Sequence, residues 1–434
     1  MSAQHIMITG GRVIDPAGGI DAQRTVYIAD RMVAGLGAAP DGFRADREIH
    51  VPGQIVCPGL IDLCARLREP GHEYKATIAS ETFAASRAGI TTLCCPPDTS
   101  PVVDTPAVAE LLKERAELVG KATVLPIGAL TQGLKGTQLS EMSALKEVGC
   151  TAVSNALAPV ANTLVLRRAM EYAASHDLLL IIRPNDPWLC DNGVAHEGAV
   201  ATLLGLPGIP ETAETAAVAQ ALALIEQTGV RAHFSQLSSA RAVDMIALAQ
   251  QAGIPVTADV SAHQLHLTEQ SLLGFDPLYH LIPPLRTEHD QQRLRRGLLD
   301  ETITAVCSDH QPHEEGAKLD AFSSTEPGIS SLETLLPLTL RLVEERDLSL
   351  PQAIARLTSG PARILNLTSG TLAPGAPADV CIFAPEQAWI VDADTWCSRG
   401  LNTPFWGQTM KGRVTHTVLA GELVFEALPV ENAE

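Results

Sequence analysis

Ile55-Val56-Cys57-Pro58-Gly59-Leu60-Ile61-Asp62-Leu63-Cys64-Ala65-Arg66-Leu67-Arg68-Glu69-Pro70-Gly71 is the first long apolar run of the chain, and it ends in a turn. Seven further β-branched runs follow, at residues 90–97, 122–130, 150–155, 178–184, 231–237, 255–263 and 302–310. Between them lie Ala/Leu/Glu-rich stretches with helical periodicity, such as 163–176, 211–229 and 240–253. Eight strands alternating with helices predict an α/β fold, a parallel (β/α)8 TIM barrel.

The flanks follow another pattern. Residues 4–56 hold short strands broken by turn signals such as Gly10-Gly11, and residues 370–425 resume that style with Gly370-Thr371-Leu372-Ala373-Pro374-Gly375. Short all-β pieces seldom bury enough surface alone. The expectation is therefore one small β-sandwich built from 1–56 and 367–434, around a barrel over 57–366.

The 434 residues are 46% hydrophobic and 19% charged, the composition of an ordinary globular protein. A net charge of −19 argues against nucleic acid or an anionic membrane as partner, because phosphate binding needs clustered Lys and Arg. No apolar run is long enough for a membrane span, and no basic-then-apolar leader opens the sequence. Nine cysteines without paired spacing suit reduced thiols, hence a cytoplasmic location.

Barrel enzymes place reactive groups at the C-terminal strand ends. Here these read Cys64-Ala65-Arg66, Ser154-Asn155-Ala156, Arg183-Pro184-Asn185, Ser235-Gln236-Leu237 and Ser308-Asp309-His310-Gln311-Pro312-His313. Together with Pro97-Asp98-Thr99, Ala262-His263-Gln264-Leu265 and Pro283-Pro284-Leu285-Arg286, they resemble the motifs of dihydroorotases, in the amidohydrolase superfamily, along nearly the whole chain. The resemblance implies a binuclear metal site at Cys64, Arg66, Ala156 (or its neighbour Asn155), Arg183, Gln236 and Asp309. Histidines fill most of these positions in active relatives, and only the aspartate remains here. No lysine between Gly149 and Asn162 is present to be carboxylated, as some relatives require. A guanidinium has no lone pair and repels a dication, so Arg66 and Arg183 cannot be ligands. No metal and no cofactor are expected. Arg66 and Arg183 are instead expected to neutralise Asp309 in an ion-pair network.

Four other histidines, His233, His263, His310 and His313, lie near strand ends. They suit either a second mononuclear site with Asp309 or hydrogen bonding to loop backbone, and the latter is the expectation. On the substrate side, Arg68 matches the arginine that grips the substrate carboxylate in the family. Its usual asparagine partner is Asp98, and the asparagine before Pro283 is Ile282. Asp98 is expected to pair with Arg68 and to repel an anionic ligand. Arg68, Asp98, His263, Ile282 and His313 thus make a vestigial substrate pocket, and Asp309 a vestigial catalytic residue.

The resemblance extends to a non-catalytic chain that, in some bacteria, assembles with aspartate carbamoyltransferase, whose catalytic chain depends on it. The expectation is an inactive dihydroorotase-like structural subunit of pyrimidine biosynthesis that forms a hetero-oligomer with that enzyme and also self-associates. Two alternatives stand beside it. One is an active cyclic amidohydrolase using Asp309 as base and a zinc on Cys64 and a nearby histidine. The other is a small-molecule sensor anchored by Arg68 and Arg286. The loop over 314–328 has no assigned role.

Overall fold

A computed structural model describes residues 4–428. The ends of the expected sandwich, 1–3 and 429–434, lie outside the described residues. The opening apolar run forms two strands with a break at Pro58-Gly59. Ile55–Pro58 joins the outer sheet, and Leu60–Asp62 begins the barrel. Gly59 is required at the break, because a Cβ there would lie 2.2 Å from Thr91 Oγ1.

Seven more parallel strand positions complete the barrel: Ile90–Cys95, Thr123–Pro126 continued by Gly128–Ala129, Ala152–Ser154, Leu179–Ile182, Ala232–Phe234, Val256–Ser261 and Ala305–Cys307. A parallel bridge from Ala65 to His310 brings the first and eighth strands together and closes the ring. The strands are buried on both faces, so neighbouring residues feed different cores. Leu60, Leu93, Leu180 and Val306 pack outward against the helices. Ile61, Cys94, Leu179, Ala305 and Cys307 fill the interior. Each such large side chain contributes about 1.5–3 kcal/mol on burial.

The two β-rich flanks meet as expected. Val380–Ile390 pairs antiparallel with Ile55–Pro58, with Val380 opposite Pro58 and Phe383 opposite Ile55. The resulting six-stranded sheet faces a four-stranded sheet of Met32–Leu36, Val26–Ala29, Ile6–Thr9 and Arg47–His50. Ile6, Ile8, Val26, Ile28, Val56, Val380 and Ile382 make the core between them. The sandwich therefore extends to Pro58, two residues past the expected limit, because edge pairing rather than hydropathy sets it. Among the described residues, no helix is long and apolar enough to cross a membrane.

Candidate functional site

The C-terminal strand ends bring Cys64, Arg66, Arg183, Gln236 and Asp309 together at the barrel mouth, on walls of one small cavity or directly behind them. Arg66 is 4% exposed and sits at the centre. Its Nε donates to Asp98 Oδ2 at 2.7 Å and its Nη1 to Asp309 Oδ1 at 3.4 Å. Burial alone would lower the guanidinium's pKa, but Asp98, Cys64 and Asp309 hold it above its ordinary value. Asp309 is pushed upward by burial, and Arg66, Arg183 and Gln311 oppose that push. Gln236 Nε2 and Gln311 Nε2 also donate to Asp309 Oδ1, at 3.1 and 3.0 Å.

Two expected pairings are not formed. Asp98 bonds Arg66, not Arg68. The backbone of Arg68 is left-handed, with φ of 64°, which turns its side chain toward the eighth-strand loop. There Nε donates to the Pro312 carbonyl at 3.0 Å and Nη2 lies 3.2 Å from His313 Nε2. Burial, then the Arg66 charge, lowers its pKa to about 10. Arg183 does not join the Asp309 network either: among the described residues its guanidinium makes no hydrogen bond or ion pair, and it acts on Asp309 only through its field. At the fourth strand, Ala156 lines the cavity. Asn155 turns away to Thr131 Oγ1 and to the carbonyls of Leu134 and Ala158, so neither residue presents an acid.

The four histidines do not converge on Asp309. His233 Nε2 is 2.8 Å from Asp259 Oδ2, and His310 Nε2 is 2.8 Å from Glu81 Oε2. His263 lies 3.2 Å from Ser261 Oγ, and burial lowers its pKa to about 3. His313 is lowered to about 2 by burial and by Arg68, Lys75 and Lys318. Ile282 lines a side cavity with Arg183 and Arg286. Arg286 is held by Ser238, Glu214 and His196, so both proposed sensor anchors are occupied by the protein's own groups.

Sequence reasoning missed three contributors. Lys75, 6% exposed, donates to Glu326 Oε2 at 2.5 Å and lies 3.1 Å from His313 Nδ1, which pins the 314–328 loop over the barrel mouth. No local pattern marks it, since it lies in an irregular loop. Gln311 supports Asp309 from two residues away, on a turn that alternation rules do not describe. Asp62 is buried beneath the site; its Oδ1 accepts from Ser308 N at 2.9 Å and from Cys64 N at 3.3 Å, and its Oδ2 accepts from the Ser308 hydroxyl. Burial raises Asp62 to about 7 despite these bonds. A carboxylate within an otherwise apolar strand was the available signal.

A profile of the dihydro-orotase-like family matches residues 53–242, and one of the amidohydrolase family matches 329–425. The dihydroorotase-like protein of Pseudomonas aeruginosa is 50% identical over 97% of this chain and 99% of its own. The chain belongs to the dihydroorotase-like family. A dihydroorotase of Syntrophotalea carbinolica is 45% identical over 97% of this chain and 99% of its own length. Among solved structures, the L-hydantoinase (dihydropyrimidinase) of Arthrobacter aurescens superposes with a TM-score of 0.88 at 22% identity, covering 99% of this chain and 98% of that one. That likeness shows the barrel-and-sandwich fold.

The residues of this dihydroorotase-like chain do not fit the binuclear metal set that the family implies. Among the described residues, no three His, Cys, Asp or Glu side chains are placed to share an ion. The donor chemistry is also adverse. The Arg66 guanidinium, a fixed cation, bonds Asp309 Oδ1, and burial holds the Cys64 thiol protonated.

Proposed function

We propose that this chain is a non-catalytic dihydroorotase homologue, a structural subunit required for assembly and activity of aspartate carbamoyltransferase. The observation that carries the reading is Arg66, a permanent cation bonded to both Asp98 and Asp309 at a position where the family resemblance implies a metal ligand. Asp309 alone, as a general base, would supply about 10²–10⁴-fold, far short of amide hydrolysis. A maintained fold over a dismantled site is what selection for assembly leaves. Relatives at 50% identity are called dihydroorotase-like protein, and those at 40–45% dihydroorotase. The purified chain, incubated with excess zinc and desalted, is assayed for bound metal and for interconversion of dihydroorotate and carbamoyl-aspartate. The reading expects far less than one zinc per chain and no turnover above buffer. Stoichiometric zinc with turnover would overturn it in favour of a rearranged amidohydrolase.

A further inference from the structure

Arg183 presents a guanidinium with five N–H donors to the barrel mouth and finds no acceptor among the described residues. It lies on the walls of three adjoining cavities of about 30, 70 and 10 Å³. The first of these is also lined by Gln236, which is 3% exposed. The Gln236 amide is oriented by its own donors, since Nε2 bonds Cys64 Sγ at 2.9 Å and Asp309 Oδ1 at 3.1 Å. Its Oε1 is thereby left buried with no donor. A buried acceptor left unmatched is costly, and Arg183, half-buried, has no carboxylate within bonding distance among the described residues. The two deficits are opposite in sense, and the two residues that carry them line the same cavity. Arg66 is already answered by Asp98 and Asp309, so the Arg183 charge is the one without a local partner.

We propose that this cavity binds a small planar oxyanion that keeps one O–H, of which bicarbonate is the simplest. Two of its oxygens would accept from the Arg183 fork, and its hydroxyl would donate to Gln236 Oε1. The volume suits a ligand of this size. The first cavity of about 30 Å³ is about twice the smallest space that holds a water, and it continues past Arg183 into the second. The site is independent of whether the chain serves assembly, and it uses neither Arg68 nor Arg286.

The test is thermal melting of the full chain at constant pH and ionic strength, with chloride replaced stepwise by bicarbonate or by nitrate. Nitrate has the same planar shape and charge but no O–H. A ligand that binds the folded state raises Tm with its concentration, and the rise yields an apparent Kd. Bicarbonate is expected to bind at least about tenfold more tightly than nitrate, the usual cost of an unmatched buried acceptor. Arg183→Gln is expected to weaken bicarbonate at least about tenfold, and Arg183→Lys to weaken it less, because it keeps the charge but not the fork. Should Arg183→Gln fail to fold, Arg183→Lys and the nitrate comparison decide. Equal effects of the two anions, an unchanged apparent Kd in both variants, or no saturable rise in the millimolar range would each overturn the proposal.

Discussion

Replacing Arg66 with Met would leave a buried carboxylate without its cation. Asp309 is 2% exposed, and after the change it would keep the amide donors of Gln236 and Gln311 and the long contact from the Cys64 thiol, none of them a cation. Breaking a buried pair on one side typically costs about 3–5 kcal/mol. Unfolding entropy of about 2.1 cal/mol/K per residue gives about 0.9 kcal/mol/K for 434 residues, so Tm should fall by about 3–5 °C. The effect depends on pH. Asp309 is already raised by burial, and losing Arg66 raises it further. A carboxyl raised in the folded state loses stabilisation as pH rises, so Arg66→Met should lie closer to wild type at pH 5 than at pH 8. Met matches the buried stem, and Asp98 can turn its partly exposed carboxylate to water. The companion variant is Arg66→Met/Asp309→Asn, in which the amide oxygen still accepts from both glutamines. It should recover more than half of the loss, measured by calorimetry or circular dichroism. A shift under about 1 °C at pH 8, or two single-site losses that simply add, would refute the ion-pair account.

Asp62→Asn should gain on wild type as pH rises from about 4 to 7, because the wild-type carboxyl, raised to about 7 by burial, loses stabilisation across that window; Tm curves against pH should converge below about 4. The variant keeps the Ser308 and Cys64 amide bonds at Oδ1 and can donate to the Ser308 hydroxyl. Lys75→Met should speed proteolytic cutting within 314–328 several-fold by releasing Glu326, with a change in Tm below about 2 °C, as read by timed digestion and mass spectrometry. Gly89→Ala should cost about 2–4 kcal/mol, seen as a lower denaturation midpoint, since φ is 79° and the new Cβ would lie 2.4 Å from Cys381 Sγ where barrel and sandwich touch.

The barrel was legible because its strands are continuous apolar runs separated by helical stretches, and each run contains an observed strand. The sandwich was legible in outline, but Ile20–Gln23 and Arg47–His50 were not, since most of their residues face solvent and carry no hydrophobic alternation. The insertion of Pro187–Cys190, Ala195–His196, Ala199–Leu204 and Gly208–Ile209 also escaped, as its pieces are too short for either period to show. At the site, which residues lie at the strand ends followed from the order of motifs. Of their pairings, Arg66 with Asp309 followed too, and those of Asp98 and Arg183 did not. Whether Asp98 meets Arg66 or Arg68 depends on a left-handed backbone at a non-glycine residue, which side-chain identity does not announce. The isolation of Arg183 likewise reflects distances between strand ends, and spacing along the chain does not encode those.

The most direct test of the assembly role is reconstitution with the aspartate carbamoyltransferase catalytic chain of the same organism. Sedimentation velocity and carbamoyl-aspartate formation are measured with and without this chain, and with Arg66→Met/Asp309→Asn in its place. The account predicts a larger complex and active transcarbamoylase only when this chain is present, and the same result with the double variant, because no chemistry is asked of the barrel mouth. A transcarbamoylase that assembles and turns over equally well alone, with this chain sedimenting separately, would contradict it.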